Sequence, residues 1–200
     1  MEWFSVPAAY LVGSVQPGLL LVRLMQRRDI RESGSGKTGF TNVLRTAGKP
    51  AAALVLVLDA GKGLVVVAGI RMVSNDSWVE ASVAAAVMIG HVLPVFAGFR
   101  GGRGVATGVG AAAGLVPWSA LVGLAAFAPV VLTTRYVSLG SISGVTSVVI
   151  SFAVGALLLD TPIAYLWFAL MCGPMVVWMH RDNILRLFRG TERRIGQRSG

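Results

Sequence analysis

Apolar residues run along this chain in long blocks parted by short polar connections, and the blocks have the length that crosses a bilayer. Phe4 to Leu24 is the first, interrupted by Gly13-Ser14 and Pro17-Gly18, breaks that a membrane helix tolerates when neighbours satisfy the freed backbone. Gly48 to Ile70 and Trp78 to Phe96 follow, each near the roughly 20 residues a bilayer demands. Val105 to Thr134 is too long for one straight span and holds Pro117-Trp118 near its middle, which predicts two short helices joined by a tight turn. Ile142 to Leu159 and Pro162 to Met179 complete a set of seven. No internal repeat and no low-complexity linker is visible. The expected architecture is all-α: an integral membrane helical bundle of about seven transmembrane helices, forming a single domain over residues 1–200.

Charge sharpens this picture. The chain has 200 residues, 54% of them hydrophobic, a mean hydropathy of +0.71 and a formal net charge of +9. A nucleic-acid binder of that charge would scatter its cations over a soluble fold, whereas here they gather between apolar blocks, so no nucleic-acid partner is expected. Connections one, three and five and the tail hold Arg23, Arg27, Arg28, Arg31, Lys37, Arg45 and Lys49, then Arg100 and Arg103, then Arg135, then Arg181, Arg186, Arg189, Arg193, Arg194 and Arg198. The opposite side keeps Arg71 beside Glu2, Asp76, Glu80 and Asp160. By the positive-inside rule the N-terminus lies outside and the C-terminus in the cytoplasm. Glu2 and the lack of a basic leader argue against a cleaved signal peptide. The single cysteine, Cys172, sits in an apolar block and reads as a packing residue.

The polar connections carry the candidate chemistry. Ser33 to Arg45 is rich in glycine and hydroxyls. Its Gly36-Lys37-Thr38 suggests a nucleotide P-loop, but Arg31 stands where that loop needs glycine and no buried strand leads in. An anion cradle remains, its backbone N–H groups open and Lys37 and Arg45 at hand. Phe99 to Thr107 places Gly101, Gly102 and Gly104 with Arg100 and Arg103 before a helix start, a second anion cradle; the alternative is a tight turn with two snorkelling arginines. Arg135 to Ser141 sets Ser138 and Ser141 beside a cation and a glycine, and His180 to Glu192 is amphipathic, with His180 and Asn183 on one face; a solvated basic tail is the simpler reading of that last stretch by itself. Asp59 and Lys62 share a helix face and read as a structural ion pair, and His91, which could be a base, as a hydrogen-bonded core residue. Two histidines, one cysteine and no close carboxylate pair support neither a zinc site nor a two-carboxylate hydrolase; no metal and no cofactor are expected.

With these motifs in place the sequence resembles the bacterial acyl-phosphate:glycerol-3-phosphate acyltransferases, the PlsY family. The carriers are Gly13-Ser14; the Gly-Ser-Gly of residues 34–36 and Thr-Asn-Val-Leu-Arg of 41–45; Asp59 with Lys62-Gly63; Gly90-His91 and Pro94; Gly-Gly-x-Gly-Val-Ala-Thr of 101–107; Arg-Tyr-Val-Ser-Leu of 135–139; and His180, Asn183-Ile184, Arg186-Leu187, Gly190 and Glu192. The resemblance implies seven helices, a bacterial inner (plasma) membrane location and an active site facing the cytoplasm. It implies attack by the 1-hydroxyl of glycerol 3-phosphate on an acyl phosphate, giving 1-acylglycerol 3-phosphate and phosphate, the first step of phospholipid synthesis. It assigns Ser35, Arg45, His180 and Asn183 to catalysis. Gly34, Gly36, Thr41, Asn42, Arg100, Gly101, Gly102, Arg103, Gly104, Arg135, Ser138 and Ser141 would bind substrate, while Glu192, Asp59 and Lys62 would hold the structure. Its partners would be acyl phosphate, glycerol 3-phosphate and the bilayer. The chain departs from the family pattern at Lys37, Phe40, Arg100 and Arg103 and in the placement of Pro17. Two rivals are an anion or phosphate-ester transporter, against which stand the one-sided polar clusters, and an acyl-CoA-dependent transferase, whose histidine and acid pairing neither His91 nor His180 reproduces.

Overall fold

A computed structural model describes residues 2–197; Arg198, counted above with the basic tail, lies outside the described residues. The secondary structure of the described residues is helical, and two compact units divide the chain, Met1–Leu115 and Val116–Gly200. The first unit holds α1 (Ser5–Ser14), α2 (Pro17–Gln26), α3 (Phe40–Thr46), α4 (Lys49–Arg71), α5 (Ser77–Val92) and α6 (Val105–Leu115). The second holds α7 (Pro117–Thr134), α8 (Val137–Leu158), α9 (Ile163–Met179) and α10 (Arg181–Phe188).

Small residues decide which helices meet. Lipid tails are as apolar as leucine, so helices associate where their backbones approach closely enough for dense packing. In the first unit α1 packs on α5 and α4 on α6. A methyl added at Gly13 would strike the Val87 carbonyl, and one at Gly90 the Tyr10 carbonyl. Gly63 faces the Thr107 carbonyl and Gly110 that of Ala60 in the same way across α4 and α6. In the second unit α7 meets α8 at Gly123, Gly140 and Gly144, and α8 meets α9 through Phe152 and Phe168, whose rings stand edge to face 6.0 Å apart. Large apolar side chains that find no room inside, among them Leu54, Val57, Val65, Leu121, Leu132 and Leu157, point outward. That inverted surface belongs to a multi-pass membrane protein.

The expected break at Pro117 is present, with Val116 extended between α6 and α7 and Pro117 opening the new helix. The span count differs from the expectation of seven. Five stretches are long and apolar enough to cross a bilayer, namely Glu2–Gln26, Lys49–Arg71, Ser77–Ala97, Pro117–Thr134 and Val137–Leu158; α9 with α10, bent by 53°, makes a sixth. Helix α6 has 11 residues, about 16 Å at ~1.5 Å per residue, roughly half a hydrocarbon core. Its carbonyls therefore end where water is scarce, and Arg71 caps them: Nη1 donates to Gly114 O at 2.8 Å and Leu115 O at 3.0 Å, with Glu80 Oε2 3.4 Å from Nε. This use explains the one arginine on the sparsely charged side. Helix α8 begins at Val137 rather than Ile142, because Ser141 satisfies its hydroxyl on Val137 O at 2.8 Å within the helix and so does not end it.

Gly110→Val should abolish folded, monodisperse protein in detergent, since the side chain meets α4 backbone. Gly69→Ala, which has open space in the same pair of helices, should leave the thermal midpoint equal or higher, consistent with a gain of about 0.5–1 kcal/mol.

Candidate active site

Asn42 organises the loop between α2 and α3. Its Nδ2 donates to Lys37 O at 2.8 Å, Ser33 O at 3.0 Å and Ile30 O at 3.2 Å, and its Oδ1 accepts from Ser35 N–H at 2.9 Å. The loop closes on that amide because Gly34 and Gly36 take φ of +63° and +67°, the left-handed region where a side chain is strained; a methyl on Gly34 would also strike Asn42 Oδ1. Asn42, expected to bind substrate, is buried, with its amide engaged inside the loop. Ser35 is half-buried at the loop's bend, Thr41 half-buried at the start of α3, and Arg45 exposed in the last turn of α3. Thr38, half of the false P-loop pair, is buried and donates to Gln16 Oε1 at 2.6 Å.

Gln16 and His91 join this loop to the glycine-rich one. Gln16 Nε2 donates to His91 O at 3.2 Å, and that same carbonyl accepts from Gly102 N–H at 3.2 Å. Gly101 lies against the His91 carbonyl and Gly102 against His91 Nε2, so closely that a methyl on either would collide. Gly104 has φ +85° and leads into α6. Arg100 is exposed and Arg103 half-buried. A second tie runs from Arg31, whose Nη1 donates to Ala97 O at 2.6 Å just before the glycine-rich loop. Hydrogen bonds from Arg31 hold the Asp29 carboxyl well below the usual carboxylate range against the opposing effect of burial, and Arg23 adds a further bond.

Beneath His91 the expected Asp59–Lys62 pair is present but has a third member. Lys62 Nζ lies 2.9 Å from Asp59 Oδ1, an ion-pair approach rather than an aligned hydrogen bond. It is also 2.9 Å from His91 Nδ1 and donates to Val15 O at 2.8 Å. That carbonyl is available because α1 ends at Ser14 and Pro17 starts α2, so the helix ladder is interrupted at Val15. His91, Gln16, Thr38 and Arg31 were not among the expected site residues. The cost of an intramembrane charge was the signal pointing to His91, since Lys62 needs more partners than one carboxylate.

In the second unit Glu192 is the hub. Its Oε1 accepts from Asn183 Nδ2 at 2.6 Å and Ser138 Oγ at 2.7 Å, and its Oε2 from Arg186 Nε at 2.7 Å. Burial opposes ionisation, yet the three donors outweigh it and hold the carboxyl below its ordinary value. Of the two serines expected to bind substrate, Ser138 donates its hydroxyl to Glu192 and Ser141 to Val137 O, and each oxygen keeps acceptor capacity for a further partner. Arg135 clasps the tail, its Nη2 donating to Ile195 O at 2.8 Å while Ile195 N–H donates to Arg135 O at 2.8 Å. His180 Nδ1 is 2.8 Å from Val176 O, an acceptor only, so Nδ1 carries the proton and Nε2 is the basic nitrogen of the neutral ring. Among the described residues no group of three or more His, Cys, Asp or Glu could hold a metal ion.

A glycerol-3-phosphate acyltransferase family model matches residues 3–190. The glycerol-3-phosphate acyltransferase of Rubrobacter xylanophilus is 44% identical over 100% of this chain and 98% of its own, and that of Halalkalibacterium halodurans 41% identical over 99% and 97%. Among solved structures, the glycerol 3-phosphate form of PlsY (YgiH), an integral membrane glycerol 3-phosphate acyltransferase, superposes with a TM-score of 0.91 at 37% identity, covering 98% of this chain and 96% of that one.

Removing the Glu192 carboxylate strands its donors, so Glu192→Ala should destabilise by about 3 kcal/mol, read as a lowered thermal midpoint in detergent. Because the folded carboxyl lies below its ordinary value, its contribution is full at neutral pH. It is lost as pH falls below about 4.3 and on through the folded value, where the wild-type and Glu192→Ala midpoints should converge.

Proposed function

Because the chain belongs to the glycerol-3-phosphate acyltransferase family, we propose that it moves a fatty acyl group from acyl phosphate to the 1-hydroxyl of glycerol 3-phosphate. It is a membrane acyltransferase of the PlsY type, serving phospholipid synthesis. The hydroxyl oxygen bonds to the acyl carbon, the bond from that carbon to the phosphate oxygen breaks, and inorganic phosphate leaves with the electron pair. The hydroxyl proton ends, at balance, on the released phosphate. A mixed anhydride has a good leaving group, so positioning and anion stabilisation matter more than a strong acid. Transfer is direct, without an acyl-enzyme: the mixed anhydride is already activated, and an acyl-serine would need a base beside the hydroxyl.

The observation that carries this reading is the cross-link from Thr38 through Gln16 and the His91 carbonyl to Gly102. It holds two glycine-bearing anion cradles of the first unit at a fixed separation, as a reaction between two phosphorylated substrates needs. Ser35 and Arg45, with Gly34, Gly36 and Thr41, take the acyl phosphate; Gly101, Gly102 and Gly104, flanked by Arg100 and Arg103, take glycerol 3-phosphate. Asn42 shapes the first cradle. In the second unit His180 and Asn183 support turnover, Glu192 orders Asn183, and Arg135, Ser138 and Ser141 contribute to substrate binding. The remainder of the proposal is that residues 1–200 act as one domain with seven membrane-embedded helices, counting α6. The N-terminus is outside, and the C-terminus and both cradles face the cytoplasm of a bacterial inner membrane, as the distribution of Lys and Arg supports.

Purified protein given palmitoyl phosphate and glycerol 3-phosphate should release phosphate and form 1-acylglycerol 3-phosphate without acyl-CoA or acyl carrier protein. Arg45→Ala should lower kcat/KM by about 100-fold, the loss of a charge-assisted contact of ~2.7 kcal/mol. No phosphate release from the wild type or from Lys37→Asn would refute the reaction. Uptake of glycerol 3-phosphate into proteoliposomes without lipid product would favour a transporter.

A further inference from the structure

We propose that Lys62 is a positioning residue for the glycine-rich loop, acting through His91, a role beyond a structural ion pair. The inference rests on the reading of that loop as the glycerol 3-phosphate cradle. Lys62 is a donor only: its Nζ donates to Val15 O at 2.8 Å and meets His91 Nδ1 at 2.9 Å, while Asp59 Oδ1, 2.9 Å away, is its ion-pair partner. His91 Nδ1 is farther from Asp59, at 3.4 Å, so the shorter contact decides its role: Nδ1 accepts from the ammonium and the ring proton sits on Nε2. The ring edge carrying that proton lies under Gly102, while the His91 carbonyl takes the Gly102 N–H. Both faces of one residue thus bear on the same glycine. A ring that turned over or changed tautomer would move the loop, because nothing but a hydrogen at position 102 fits against Nε2. His91 and Asp59 are buried, Lys62 is half-buried with 8% of its side chain exposed, and Lys62 is anchored to a different helix pair through Val15. The cluster therefore fixes the ring from below without touching substrate.

The test begins on the wild type in detergent micelles, with 15N shifts of the His91 ring assigned against His180→Asn, the chain having two histidines. The expected state is protonated Nε2 with Nδ1 accepting; a ring protonated on Nδ1 alone overturns the proposal. Asp59→Asn/Lys62→Met removes the ammonium without stranding a buried charge, and should scramble the tautomer. His91→Asn keeps an acceptor for Lys62 but withdraws the edge beneath Gly102. Both variants should raise KM for glycerol 3-phosphate about tenfold, the scale of one lost hydrogen bond, with KM for acyl phosphate and kcat within about twofold. A matching fall in kcat with the glycerol 3-phosphate KM unchanged would mark a merely structural cluster and overturn the inference. Wild-type protein lacking acyl transfer would sink the proposed function, leaving the tautomer measurement to stand or fall separately.

Discussion

One ammonium group in an apolar interior sets the terms for the first unit. A charge there is costly unless it is met, and a carbonyl, an imidazole nitrogen and a carboxylate from three segments converge on Lys62. Val15 supplies one only because the first apolar block breaks there, so the kink that looks like a defect in a spanning helix is a ligand of the cluster. His91 supplies another and in doing so is turned toward the glycine-rich loop. Much of the site's geometry follows from satisfying that one charge.

The two cradles show the same economy of means. Each is a loop whose shape is fixed from inside by one buried polar residue, Asn42 in one and His91 in the other. Two phosphorylated molecules repel one another, and the repulsion grows as water is excluded. In the proposed reaction, N–H groups and arginines held ready on the two loops would offset it. The second unit adds a carboxylate that draws Ser138, Asn183 and Arg186 to a point.

The apolar blocks, the break at Pro117, the skew of the cations and the position of both glycine-rich stretches were legible in the sequence, because each depends on local composition or on the bilayer itself. What escaped depends on distant partners. Helix α3 has 7 residues and no periodic signal, so Arg45 looked like part of a loop. The start of α8 was hidden because serine reads as a polar break until its hydroxyl is seen to fold back on the helix. The bonds by which Asn42 ties the loop together depend on the turns at Gly34 and Gly36, and His91 meets Lys62 from 29 positions away. Arg71 looked like an exception to a charge rule until the short α6 gave it carbonyls to cap.

Asp59 and Lys62 lie on the same helix, one turn apart. Opposite charges so placed cancel within α4 itself, so the stretch between its terminal Lys49 and Arg71 carries no net charge in the apolar phase. His91 and Val15 are then met by lateral packing of helices already inserted. Asp59 thus lowers the cost of holding Lys62 in the bilayer from within its own helix, and Val15 and His91 complete the set of partners only where the helices pack.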